Sequence, residues 1–422
     1  MDLNNPYIII IGLALVIIIS FLFDKVAKKT SVPSVLMLIA FGIGIRQGLD
    51  YFQIESGDQL FGTLELLGII GLIMIVLEAA LDLELRADKA PVIIKALGVA
   101  LVALIASSLG IAYLIQQLII PDFFTSLLYA VPLSIMSSAI IIPSVAGLMP
   151  SKREFLIYES ALSDILGIMF FYFLLGNAET ASVGQIVTDV VINIVVTIVV
   201  SIIVSYLLVL LFQNITGHIK LFLLISVLIA LYAVGKLFHL SSLMIILVFG
   251  LVLNNNKIFF RGKLAKLIDQ SILGTIVHEF HTITLETAFV VRTFFFVVFG
   301  VTLDLLSLVN IETGLISLAV VAILFAVRLI TLKLFALKSI FPELLIAPRG
   351  LITILLFFAI PLEFQVATFD KGILLYTILL TALIMMVGLM GKKEQAEDVK
   401  ALEFNDWEEL DKEIEQLSQQ KN

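Results

Sequence analysis

Cysteine is absent from all 422 residues of the chain, and tryptophan occurs once. The lack of cysteine excludes disulfide bonds and metal sites built on thiolates. Charged residues are also scarce, at 14% of the chain, whereas soluble globular domains carry about 25%. With 60% hydrophobic residues and a mean hydropathy of +1.14, the chain is too apolar for a water-soluble protein of this length. The composition therefore indicates an integral membrane protein.

Long apolar runs recur from one end of the sequence to the other. A helix of about 20 apolar residues crosses the ~30 Å hydrocarbon core of a bilayer and satisfies its own backbone hydrogen bonds there. The runs predict an all-α integral membrane domain over residues 1–390, followed by a short acidic cytoplasmic tail over 391–422. We interpret the first run as a span and not as a signal peptide, because no basic residue precedes it. Thirteen transmembrane helices are predicted, at residues 6–23, 32–50, 61–82, 91–119, 123–148, 154–176, 183–212, 219–236, 239–255, 282–303, 311–337, 343–362 and 369–390.

Lysine and arginine are distributed unequally between alternate connections. Cytoplasmic loops carry an excess of these residues. One set of connections holds only Arg46, Lys236 and Lys371. The other set holds most of the basic residues, namely Lys25, Lys28, Lys29, Arg86, Lys89, Lys95, Lys152, Arg153, Lys220, Lys257, Arg261, Lys263, Lys266, Lys338, Lys392 and Lys393. We therefore expect a multi-pass protein of a cell membrane, with its N-terminus outside and its C-terminus in the cytoplasm.

Two short patterns occur in both halves of the chain. The third span ends in Leu81-Asp82-Leu83 and the tenth in Leu303-Asp304-Leu305, on opposite predicted faces of the membrane. Prolines interrupt or bracket two further equivalent spans: Pro132 and Pro143 in the fifth, Pro348 and Pro361 in the twelfth. Inverted repeats with broken helices at equivalent positions are typical of secondary transporters, whose binding sites lie between those helices. The pattern predicts inverted-topology repeats over spans 1–6 and 8–13, with two crossed broken helices.

Ionisable residues inside the spans require a role, because a charge at the bilayer centre costs roughly 2.5–3.5 kcal/mol on insertion scales. Ser160 and Asp164 are four residues apart and share one helix face, and Glu159 and Ser163 share the adjacent face. Oxygen ligands of this kind suit a small alkali cation. Burial penalises the charged form of a carboxyl group, so Asp164 is predicted to hold either a proton or a cation.

The other charges in the spans are predicted to form ion pairs. Glu159 has Arg328 and Arg349 as candidate partners, and we interpret the three as a structural latch. Arg292 has two interpretations, either an anchor that pairs with Glu286 or a carbonyl group, or an accessory fixed charge that faces the ion path.

Four polar residues at the cytoplasmic side carry weaker signals. His278 and His281 are three residues apart, but no further ligand is adjacent, so we interpret them as interfacial histidines and not as a metal site. Glu78 and Asp82, one helical turn apart, are interpreted as a pair at the cytoplasmic rim.

Several of these motifs resemble those of the monovalent cation:proton antiporter-1 family, of the NhaP and sodium/proton exchanger type. Residues 159–164 (Glu-Ser-Ala-Leu-Ser-Asp) are similar to the Glu-Ser-x-x-Asn-Asp of the family's sixth span. Arg328 and the Arg349-Gly350 pair resemble two family arginines in spans eleven and twelve. The Phe-rich run 294–300 and residues 250–254 resemble the family's tenth span and the end of its ninth.

This resemblance implies roles for five residues around the fifth and sixth spans. Asp164 would carry the cation and the proton, Ser160 would be a ligand, and Ser137, Ser138 and Ser163 would complete the site. The sequence departs from the family in two places. Ser163 replaces an asparagine, and Ser137-Ser138 replace a Thr-Asp pair, which removes the second acid and leaves potassium open as the transported ion.

The predicted function is therefore secondary active antiport of a monovalent cation for protons in pH homeostasis. Sodium is the first choice of cation, with potassium and lithium as alternatives. The resemblance further implies a homodimer that works by alternating access in the lipid bilayer. No enzyme activity, cofactor, metal centre or nucleic-acid partner is expected. Two other functions remain open on the same fold, namely a cation channel and a transport-inactive membrane sensor or regulator.

Overall fold

The structure is a computed structural model that describes residues 6–30, 32–51, 59–83, 85, 87–145, 147–176, 196, 199–211, 213, 220–237, 242–260, 268–302, 310–335 and 340–390. All regular secondary structure within these ranges is helical, which confirms the all-α fold. The helices are α1 Pro6–Thr30, α2 Ser34–Tyr51, α3 Gln59–Asp82, α4 Ala90–Leu118, α5 Phe123–Ser134, α6 Ser138–Ser144, α7 Pro150–Gly176, α8 Lys220–Leu237, α9 Ser242–Asn254, α10 Asn256–Phe259, α11 Gln270–Thr302, α12 Ile311–Leu334, α13 Leu351–Phe358 and α14 Gly372–Met390. Short 3-10 turns follow at Ala87–Lys89 and Leu362–Phe364, and a further apolar helix covers Val199–Leu211.

Seven helical segments in the described part of the chain are long and apolar enough to cross a membrane. The predicted number of thirteen spans stays a prediction, because much of the seventh (183–212) lies outside the described residues. The tail 391–422 and the second Leu-Asp-Leu pattern (303–305) lie outside them as well.

The helices pack in two groups. The first group contains α1, α2, α3, α8, α9 and α11, with α11 packed against both α2 and α3. The second group contains α4 to α7 and α12 to α14, with α4 packed against α5, α7 and α12. Fewer contacts join the groups, and these bring α3 against α13 and α7, and α9 against α7. The broken helices thus belong to the second group and face the first.

Close approach of backbones holds the first group together. A Cβ atom on Gly300 of α11 would lie 2.4 Å from the carbonyl oxygen of Ile39 and 2.9 Å from the Cα of Gly42, both in α2. Only a residue without a side chain fits there, and small residues at helix crossings are the usual means of association in a membrane. Gly300 therefore sets the distance between α2 and α11.

The start of α5 is defined by its own residues. Asp122 is the N-cap, and its Oδ2 accepts hydrogen bonds from the backbone amide and the hydroxyl of Thr125, each at 2.7 Å. The hydrogen bonds from Thr125 lower the pKa of the Asp122 carboxyl below its usual range. This cap leads into a helix whose side chains are buried from Thr125 to Ser134.

Candidate ion-binding site

Two helix breaks meet within the second group. Residues 135–137 separate α5 from α6, and residues 346–350 form a non-helical segment before α13. The two segments touch where the amide of Ser137 donates a hydrogen bond to the carbonyl oxygen of Pro348 at 2.9 Å. The two broken helices predicted for the fifth and twelfth spans are therefore present, and they cross.

The local sequence accounts for these breaks. Pro348 has no amide hydrogen and disfavours the helical conformation at Ala347 before it, so a helix cannot run through this point. Ser137 occupies the N-cap of α6 with an extended backbone, and its side chain makes no capping hydrogen bond. Pro132 lies inside α5, two residues before the helix ends.

Gly350 permits the close contact between the crossed segments. A Cβ atom there would lie 2.7 Å from both Ser137 Oγ and Ile140 Cδ1. We expect Gly350→Ala to force the segments apart and to destabilise the protein by about 1–3 kcal/mol, the usual cost of overpacking. Thermal unfolding in detergent measures this, with Gly147→Ala as the control, because a Cβ on Gly147 meets nothing within 4 Å. Equal melting temperatures for the two variants would contradict the expected clash.

Asp164 lies beside this crossing, on α7, with 3% of its surface exposed. Its Oδ2 accepts a hydrogen bond from the backbone amide of Ser138 at 3.0 Å. Its Oδ1 is also buried, and no residue in the described ranges offers it a hydrogen bond. Buried polar atoms are nearly always paired. The Oδ1 atom of Asp164 is therefore available to a proton or to a bound ion.

The serines predicted for the site occupy different positions around it. Ser163 Oγ accepts a hydrogen bond from the amide of Met136 at 3.0 Å, and therefore holds the first broken segment against α7. Ser137 and Ser138 contribute backbone amides, to Pro348 and to Asp164 respectively. Ser160 is fully buried, and its hydroxyl donates to the Ile157 carbonyl at 3.2 Å within the same helix.

Glu159 is fully buried one turn before Ser163 and is paired with Arg328 of α12. The two carboxylate oxygens accept from Arg328 Nη1 at 2.6 Å and from Nη2 at 3.1 Å. The guanidinium also donates from Nε and Nη2 to the Glu343 carbonyl, at 2.9 and 2.7 Å. A bidentate pair of this geometry compensates both charges away from water.

Arg349 contacts backbone carbonyls beside the pair formed by Glu159 and Arg328. Its guanidinium donates to the carbonyl oxygens of Leu133 at 3.1 Å and Ser134 at 3.2 Å, and to that of Ala347. Leu133 and Ser134 offer their carbonyls because α5 stops at Ser134, which leaves its last carbonyls without helical donors, and a cation at a helix C-terminus is favourable. The latch predicted for Arg349 with Glu159 stays a prediction, since the hydrogen bonds and ion pairs of the described residues join Glu159 to Arg328 and not to Arg349.

Arg292 also has a partner that the sequence did not indicate. Its Nη2 lies 3.2 and 3.1 Å from the two carboxylate oxygens of Glu78 on α3, where we had considered Glu286. Its Nη1 donates to the carbonyl oxygen of Ala139, at the start of α6, at 3.3 Å. Arg292 thus joins the first helix group to the broken helix of the second. Glu78 was interpreted as a rim residue because the predicted third span ends four residues later.

A cavity of about 270 Å³ runs between the helix groups up to the broken helix. It is lined by Arg292 and by three acids, Asp24, Glu78 and Asp82, and it reaches Ser138, whose amide binds Asp164. At its rim, His281 Nε2 lies 2.8 Å from Asp82 Oδ1. Glu78 and Asp82 therefore each have a basic partner, and His281 is held by an acid next to the cavity.

These features define a membrane ion transporter of the broken-helix type. A model of the family "Sodium/hydrogen exchanger, transmembrane" matches residues 11–391, and the chain belongs to this family of transporters. Two solved structures of the sodium proton antiporter MjNhaP1 from Methanocaldococcus jannaschii share the fold. One, at pH 8, has 20% sequence identity and a TM-score of 0.68, and the match covers 92% of this chain and 96% of that one. The other, an electron-microscopy structure, has 18% identity, a TM-score of 0.66, and coverages of 93% and 97%. A comparison with curated protein sequences gives no match.

Proposed function

We propose that the protein is a secondary active antiporter that exchanges a monovalent cation for protons by alternating access. Sodium is the first candidate, with potassium and lithium as alternatives. The observation that carries this proposal is the buried Oδ1 of Asp164, which lies beside two crossed broken helices and has no hydrogen-bond partner in the described part of the chain. The similarity of the fold to a sodium proton antiporter supports it.

One carboxylate is enough to couple the two fluxes. Oδ2 of Asp164 is held by the Ser138 amide, so Oδ1 is the oxygen that takes the transported ion. A proton on that oxygen removes the charge that a cation needs, and a bound cation opposes protonation. The proton and the cation therefore compete for one site. Binding of either ion lowers the affinity of the site for the other, which links their two fluxes.

The charges along the cavity favour cation entry. Asp24, Glu78 and Asp82 line it, and acids in a low-dielectric cleft raise the local concentration of cations. Because Arg292 and His281 face two of these acids, the net attraction is moderate. The cavity therefore serves as the cytoplasmic route to Asp164.

Alternating access is consistent with the division of the helices. Asp164, Ser160 and Ser163 all belong to the second group, and that group contacts the first through few helices. We propose that the second group is the moving core and that the first forms the dimerisation side of a homodimer in the cell membrane. Residues 391–422 then form the cytoplasmic tail, and the exchange serves pH homeostasis.

Proton flux in proteoliposomes tests the function. We expect an imposed pH gradient to collapse when sodium, and to differing extents lithium or potassium, is added, whereas choline has no effect. The rate should pass through a maximum with pH, because excess protons exclude the cation and too few protons stop the return step. Single-channel currents in a planar bilayer would instead indicate a channel. A gradient unaffected by every cation would refute the antiporter and favour a sensor.

A further inference from the structure

A second ion pair, between a half-buried lysine and a buried acid, begins on α7 two helical turns before Glu159. Lys152 Nζ is 2.8 Å from Glu343 Oε2, and Glu343 has only 3% of its surface exposed. Glu343 lies in the turn 341–345, directly before the non-helical segment 346–350, so the pair connects the helix that carries Asp164 with the chain that leads into the crossing. The proposed transport cycle does not use either residue.

Glu343 is bound through its backbone as well. Its carbonyl oxygen accepts two hydrogen bonds from Arg328, and Arg328 in turn holds Glu159 of α7. Lys152 and Glu159 are therefore both connected to the same residue, one directly and one through an arginine. Seven residues of helix separate these two points, which is about 10 Å along the axis of α7.

Two attachments at this spacing restrict how α7 can move. With one attachment, the helix can slide along its axis or tilt about the contact. With a second one at a distance of two turns, both movements stretch a short hydrogen bond. Ion pairs with a solvent-accessible partner contribute only about 0–1 kcal/mol, so this pair is poorly explained by stability alone.

Backbone hydrogen bonds connect the chain after Glu343 with Asp164. Pro348 follows Glu343 by five residues and accepts the amide of Ser137, while the next amide, that of Ser138, donates to Asp164. We propose that Glu343 is a positioning residue. Together with Lys152 it fixes the axial position of α7 relative to the crossed segments, and this keeps the Asp164 carboxylate where it can bind the cation. This inference rests on the proposed function, since it assigns Glu343 to the site of that exchange.

The test measures the initial rate of exchange as a function of cation concentration. The cation is whichever of sodium, lithium and potassium gives the largest response in the wild-type protein. Glu343→Gln keeps the carbonyl that binds Arg328 but removes the charge that binds Lys152. We expect the apparent KM for the cation to rise about tenfold, as for removal of an outer partner that orients an ion ligand, with the maximal rate little changed. Lys152→Gln should raise KM at least as much, because it also removes the hydrogen bond from Lys152 Nζ to the Phe341 carbonyl. The double variant should raise KM by no more than Lys152→Gln alone, because both have lost the contact with Glu343.

Two variants serve as controls. Lys152→Arg retains an ion pair with Glu343 and should keep the wild-type KM. Glu154→Gln removes a different ion pair on α7, between Glu154 and Lys89 at 3.0 Å, which ties the helix to the turn before α4. Since that pair does not involve the crossing, Glu154→Gln should leave KM unchanged.

The outcomes separate this inference from the proposed function. A wild-type KM in Glu343→Gln and Lys152→Gln would overturn the positioning role, while exchange by the wild-type protein leaves the function intact. An equal rise of KM in Glu154→Gln would also overturn it, because any loosening of α7 would then have the same effect. If the wild-type protein shows neither exchange nor a rise of its melting temperature with added cation, the proposed function fails, and the positioning role fails with it.

Discussion

Asp164→Asn is expected to abolish cation-dependent collapse of a pH gradient in proteoliposomes. Asparagine retains an oxygen that can accept the hydrogen bond from the Ser138 amide, which the structure places 3.0 Å from Oδ2. It has no ionisable group, however, so it neither releases a proton nor neutralises a bound cation. The loss should exceed about 100-fold for every cation, since each one depends on the same charge. Expression and melting temperature should remain close to those of the wild-type protein.

Asp122→Asn is a matched control for this substitution. Asp122 caps α5 through Thr125, and asparagine is as good an N-cap as aspartate. The control variant should therefore fold and exchange like the wild-type protein. Exchange that persists in Asp164→Asn would show that another group carries the proton. Loss in both variants would indicate a general effect of these substitutions on folding.

Glu159→Ala is expected to give the largest loss of stability. The change leaves the Arg328 guanidinium buried without the carboxylate that now lies 2.6 Å away. Breaking a buried ion pair from one side destabilises proteins by about 3–5 kcal/mol, because the remaining charge is uncompensated. Thermal unfolding in detergent should show a clear fall in the melting temperature.

A second variant distinguishes the charge from the packing. In Glu159→Met combined with Arg328→Met, neither charge of this pair remains, so much of the lost stability should return. Glu312→Ala, an exposed acid in the first turn of α12, should leave the melting temperature unchanged. An unaltered melting temperature in Glu159→Ala would mean that Arg328 is compensated by the Glu343 carbonyl alone.

The helix breaks could be predicted from the sequence because their cause is local. Pro348 lacks a donor wherever it lies, and Pro132 and Pro143 interrupt an apolar run that is otherwise helical. The grouping of Glu159 with an arginine was also accessible, because a buried acid needs a cation and few are available in the spans. The sequence predicts that Arg328 and Arg349 together hold Glu159, and the structure shows Arg328 in direct contact with it.

The remaining contacts depend on free backbone carbonyls and on the packing of helices, neither of which can be read from a sequence. Arg349 binds the carbonyls of Leu133 and Ser134, which become available only because α5 ends there. The pairing of Arg292 with Glu78 depends on how α11 packs against α3, and that distance is set by tertiary structure. Counting charged side chains therefore overestimates the number of ion pairs, since backbone oxygens compete for the arginines.

The hydrogen bond from Arg292 to the Ala139 carbonyl bears on how the two conformations of the proposed transport cycle are populated. It connects a helix of one group to a broken helix of the other, so a relative movement of the groups by a few ångströms has to break it. A hydrogen bond to a charged group contributes about 1.5–3 kcal/mol, which corresponds to a population ratio of roughly 10 to 150 between the two conformations. In the proposed alternating-access cycle, a contact of this strength would bias the resting protein towards one face of the membrane without trapping it there. In that proposed cycle, Arg292 would define a resting conformation that is stable enough to be populated between turnovers and is released in each of them.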